Sequence, residues 1–65
     1  MKNRVKEYRK EYKLTQEELA KKLGVTRQTI IAVENDKYNP TLELSMRLAR
    51  YLNTTIEELF TLAQE

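Results

Sequence analysis

Residues 14–36 read LTQEELAKKLGVTRQTIIAVEND, and the reading of this stretch decides the fold. Thr15 can cap the backbone, Glu18 can reach back to it, and Leu14 can pack on Leu19, which makes a capping box with a hydrophobic staple. The pattern predicts a helix that starts at Gln16, runs through Leu19, Ala20 and Leu23, and stops at Gly24. Glycine tolerates the left-handed backbone of a helix end. Two residues on, Thr26 caps again, with Val25 and Ile30 in the staple positions, and another helix follows at once.

Only a few residues around Gly24 join these two helices. That is the spacing of a helix-turn-helix, whose second helix enters the major groove of DNA. At 100° per residue, Thr26, Ile30 and Val33 cluster on one face of the second helix, the expected core face. Opposite lie Gln28 and Asn35, flanked by Ile31 and Ala32, with Arg27 at the margin. The first turn of a recognition helix penetrates deepest, and there the chain places Arg27 and Gln28. Arginine can bond guanine O6 and N7 as a fork, glutamine can do the same with adenine N6 and N7, and Ile31 can touch thymine methyls. Against this stands a plainer role, in which Arg27 and Gln28 only solubilise the start of a packed helix.

Outward from this pair the chain continues as helix. Met1, Val5, Tyr8 and Tyr12 form one stripe of a first helix. Pro40 discourages helix at Asn39, and Thr41 is the expected cap of a fourth, lined by Leu44, Leu48, Tyr51 and Leu52. A last box, Thr55 with Glu58, opens a fifth helix carrying Ile56, Leu59, Phe60 and Leu62. No segment alternates with period two over a useful length. The expected fold is all-α, a five-helix bundle over residues 1–65 as a single domain.

Composition narrows the function. The 65 residues contain no cysteine and no histidine, which removes thiolate chemistry, the commonest metal ligand and the usual general base. One glycine leaves no glycine-rich phosphate loop. We therefore expect no enzyme, no metal and no cofactor. The longest apolar run is the four residues from Ile30 to Val33, too short to span a membrane. Without a secretory signal, the expected location is cytoplasmic. Net charge is +2, divided unevenly: ten Lys/Arg against six Asp/Glu in residues 1–37 give +4, and two against four in residues 38–65 give −2. The basic half suggests an anionic partner, although charge alone is equally compatible with an ordinary solvated surface.

The segments LTQEELA, GVTRQTI, EN after the third helix, NP before the fourth, and EELF together resemble the phage-repressor and Cro-like (XRE) helix-turn-helix family, in its compact single-domain branch. The likeness covers nearly the whole chain. It implies that Arg27, Gln28 and Ile31 read bases, and that Gln16 and Thr26 meet backbone phosphates. Asn35, Lys37 and Tyr38 fall in the loop that flanks the DNA backbone in that family, while a merely solvated loop stays open for Lys37 and Tyr38. Arg9 and Glu34 match a pair that the family joins by a salt bridge between helices one and three. Ser45 and Leu44 depart from the commonest family pattern, which places a larger apolar residue at the former, so the packing of helix four is expected to differ. Short terminal strands occur in some relatives, and the sequence does not decide whether they form here.

The favoured function is therefore sequence-specific binding of a double-stranded DNA operator by a homodimer, acting as a transcriptional repressor. Ile56 and Phe60, one turn apart on helix five, are the expected shared surface; the alternative packs both within one chain. Two other readings stand beside this one. One is the antitoxin of a toxin–antitoxin pair, with a toxin as second partner. The other is a helical protein-interaction adaptor, against which Arg27 and Gln28 argue.

Overall fold

The computed structural model describes residues 2–62. Five helices follow a two-residue strand: β1 (Lys2–Asn3), α1 (Val5–Glu11), α2 (Gln16–Leu23), α3 (Arg27–Glu34), α4 (Leu42–Tyr51) and α5 (Ile56–Leu59), before a closing strand β2 (Phe60–Thr61). The helical bundle is as expected, and the open question of terminal strands is answered. β1 and β2 pair antiparallel, Lys2 opposite Thr61 and Asn3 opposite Phe60.

Local chemistry sets most helix starts. Thr15, Thr26, Thr41 and Thr55 each accept a hydrogen bond from the backbone N–H three residues on, so one orphan donor per helix is satisfied. At α2 the box is complete, because Glu18 also accepts from the Thr15 N–H at 2.8 Å. That bond, followed by the Thr15 hydroxyl, holds the Glu18 carboxyl below its ordinary range. Gly24 ends α2 at φ 70, a conformation open to glycine at little steric cost. Ser45 is buried on α4, and its hydroxyl donates to the Thr41 carbonyl at 2.9 Å. A small polar residue is thereby satisfied where the family pattern places a larger apolar one.

Two expectations are corrected at the ends of the chain. The first helix does not extend back along the stripe from Met1: it starts at Val5, whose N–H donates to Asn3 Oδ1 at 3.0 Å. Met1 itself lies outside the described residues. Helix five is also shorter than expected. Phe60 turns to extended backbone (φ −124, ψ 139) and pairs with β1, so Phe60 and Leu62 do not lie on a helix. Burial explains the turn. Phe60 joins Val5, Leu19, Leu23, Ile30, Val33, Leu44, Leu48, Leu52 and Leu59 in the core, and Leu62 stays exposed.

Candidate nucleic-acid interface

α3 is anchored by Ile30 and Val33, both fully buried. Its other side is open. Arg27 and Gln28 are exposed, as expected, and Ile31 and Ala32 are half-buried. Gln28, Thr29, Ala32 and Tyr38 line an open groove of about 320 Å³, which brings Tyr38 of the following loop beside the outward face of the helix. A second groove of about 500 Å³ is bounded by Arg9, Thr15, Gln16, Glu17 and Arg27. The starts of α2 and α3 thus share one surface.

Thr26 is exposed rather than facing the core, the reverse of its place on the helical wheel. As the cap of α3 it precedes the first helical turn. Its hydroxyl accepts from the Thr29 N–H at 3.2 Å and lies 3.1 Å from the Thr29 hydroxyl.

Arg9 and Glu34 pair as the resemblance implied. Arg9 Nε donates to Glu34 Oε2 at 2.6 Å and Nη2 to Oε1 at 3.2 Å, and Nη1 reaches the Leu14 carbonyl at 2.7 Å. Their side chains are 9% and 2% exposed. A planar fork matched to a carboxylate fixes direction as well as distance. Gln16 has a role that sequence reasoning missed: its Nε2 donates to Glu34 Oε1 at 3.1 Å. One of its two amide hydrogens is thereby committed to the clamp, and the other remains for a ligand. Helix periodicity carries no signal for such a contact between α2 and α3.

Asn35, Lys37 and Tyr38 are exposed and follow α3 directly. Their backbone is set by the end of the helix, with the Asn35 N–H on the Ile31 carbonyl and the Lys37 N–H on that of Ala32, both at 3.0 Å. Asp36 between them adopts φ 58. Asn3 also reaches this end from β1, a contact that no periodic pattern announces. Of the two expected interface residues, Ile56 is half-buried against the core. Phe60 is 8% exposed within the single chain and does not stand beside Ile56 on a helix.

Among the described residues there is no group of His, Cys, Asp or Glu side chains that could hold a metal ion, and no helix is long and apolar enough to cross a membrane.

Comparison with known proteins gives a consistent answer. Residues 5–59 match a family model described as helix-turn-helix. The chain is 55% identical over 60 residues to an uncharacterized HTH-type transcriptional regulator of Methanocaldococcus jannaschii, covering 92% of this chain and 91% of the relative. It is 51% identical over 65 residues to another such regulator of Archaeoglobus fulgidus, covering 100% and 93%. An immunity repressor protein of Bacillus phage phi105 is 38% identical over 56 residues, covering 86% of this chain and 39% of the phage protein.

Proposed function

This chain belongs to the XRE/Cro-like helix-turn-helix family, a family of transcriptional regulators rather than enzymes, and from that premise we propose that it represses transcription by binding a specific double-stranded DNA operator. The observation that carries the reading is the exposed pair Arg27 and Gln28 on the first turn of a helix whose opposite face is buried. A helix held from behind can lay its first turn in the major groove. There Arg27 and Gln28 can form their forks on guanine and adenine, and Ile31 can meet thymine methyls. Gln16, Thr26, Asn35, Lys37 and Tyr38 surround that face and would meet phosphates, which sets register without reading sequence. Such a regulator works in the cytoplasm, where its operator is.

The protein acts as a homodimer in this reading, because one recognition helix reads few base pairs and two are spaced about 34–36 Å apart on the duplex. With Phe60 in the core, the shared surface moves to Ile56 and the outer side of α4. Leu42 and Met46, one turn apart, are 70% and 52% exposed there and line an open groove of about 350 Å³ with Arg47 and Arg50. Exposed apolar residues that adjoin mark association surfaces. Met46→Asp should yield a folded monomer with weak half-site binding. A parent chain that stays monomeric at high concentration in sedimentation equilibrium would sink the dimer.

Selection of bound sequences from a random DNA pool tests the main reading. Enrichment of one two-fold-related motif is the expected result, and recovery of unrelated sequences would overturn it. Binding to the selected site should weaken steeply with salt, with Lys37→Ala lowering the slope by about one unit.

A further inference from the structure

Asn3 uses its carboxamide fully as a donor. Nδ2 donates to the Val33 carbonyl at 2.6 Å and to Asp36 Oδ1 at 2.8 Å, while Oδ1 accepts from the Val5 N–H at 3.0 Å. The Val33 carbonyl, at the end of α3, already accepts from the Asp36 N–H at 3.1 Å, and Asn3 occupies its second lone pair. Asp36 holds the left-handed backbone at φ 58, as Lys13 and Asn53 do after α1 and α4, and backbone bonds close all three ends. Among the described residues, a side chain from a strand is added only at the end of α3. The bond from Asn3 is charge-assisted and spans 33 residues of sequence. Asn3 in turn is fixed by its register opposite Phe60, and the next residue donates its N–H to the Leu59 carbonyl at 2.8 Å. The path runs from the buried Phe60 backbone through Asn3 to the end of the recognition helix.

We infer that Asn3 is a positioning residue for DNA recognition: it sets the C-terminal end of α3 and the loop that presents Asn35, Lys37 and Tyr38. The inference rests on the DNA-binding reading above. Among the described residues, these three side chains make no hydrogen bonds, so the backbone alone aims them. No other residue type of the same length offers two donors and an acceptor together. Aspartate would keep the acceptor for Val5 but lose both donors and face the Asp36 carboxylate. The link between Asn3 and Asp36 is solvent-exposed, so its loss bears on local geometry more than on global stability.

The test uses the full chain, the operator selected from the random pool, and amide hydrogen exchange. Asn3→Asp and the neutral Asn3→Leu should each weaken operator binding about tenfold and speed exchange at residues 35–38, while the amides of α2 keep their protection. Exchanging the pair, Asn3→Asp with Asp36→Asn, keeps the parent's charge and restores the link between residues 3 and 36 with the donor reversed. It does not restore the bond to the Val33 carbonyl, so it should recover part of the affinity that Asn3→Asp alone loses. Unchanged affinity in both single variants would overturn the inference while leaving the DNA reading intact. So would exchange that rises uniformly over all helices with no recovery in the exchanged pair, which marks a general loss of stability. A parent that enriches no DNA sequence would overturn the functional reading, and the positioning role with it.

Discussion

The two ends of α3 are held in opposite ways. At its C-terminal end, Val33 and Glu34 are tied to three other elements: to α1 through Arg9, to α2 through Gln16, and to β1 through Asn3. At its N-terminal end Arg27 and Gln28 are exposed, and among the described residues the side-chain bonds are two local ones between Thr26 and Thr29. A short helix that is core on one face, and in the proposed function a reading head on the other, would divide these tasks along its length. The end that fixes orientation is over-determined, and the end proposed to meet DNA presents Arg27 and Gln28 exposed.

The largest effect should come from releasing the held end. Arg9→Leu leaves the Glu34 carboxylate, 2% exposed, without its cation, and loss of one partner of a buried pair costs about 3–5 kcal/mol. Urea denaturation should show a lower midpoint at unchanged slope. A midpoint equal to the parent's would break the contrast, since the clamp would then hold nothing.

The free end should answer in binding and not in stability. Arg27→Ala and Gln28→Ala are each expected to weaken the specific site by about 1–3 kcal/mol, with non-specific DNA less affected. Their denaturation midpoints should match the parent's. If either variant bound the selected operator as tightly as the parent, its base-reading role would be wrong.

Thr26→Ala removes the cap at the free end and should cost about 1 kcal/mol of stability, the usual worth of such a cap. Thermal melts of Thr26→Ala beside Arg9→Leu therefore sharpen the contrast into a ratio. A cap as costly to remove as the clamp would mean that both ends are held alike.

Smallest is an acid effect at the neighbouring start of α2. The Glu18 carboxyl is held below its ordinary value of 4.5 by the Thr15 N–H. A depressed folded-state pKa contributes stability above the unfolded value, and that contribution is lost as pH falls through the folded one. Stability of the parent should thus decline slightly more below pH 4.5 than that of Glu18→Gln. Parallel curves would show that this exposed box adds nothing through charge.

What could be read in the sequence follows the range of the interactions. Thr15 with Glu18, Thr26 with Thr29 and Thr41 with Leu44 are three residues apart, so the starts of α2, α3 and α4 stand in the local pattern. The exposed first turn of α3 was legible for the same reason. The Arg9–Glu34 pair, 25 residues apart, came through family resemblance. Beyond those ranges the signal ended. β1 and β2 are two residues each, too short to alternate visibly, and Phe60 continues the apolar spacing of a helix until backbone pairing pulls it away. Asn3 and the second role of Gln16 lie between elements, where helical periodicity is silent.

The pairing of Lys2 with Thr61 also closes the longest loop in the described chain. Closing a loop costs chain entropy that grows with its length, and nearly the whole described chain lies between these two residues. The contacts of α2 with α3 span a short turn, and local contacts close at smaller entropic cost than remote ones. The packing of α2 on α3 therefore costs little loop closure, whereas the far end of α3 depends on a remote one. Asn3 reaches Val33 and Asp36 from the strand that pairs with Phe60 and Thr61, so the bonds at this end of α3 rest on the most remote pairing in the described chain.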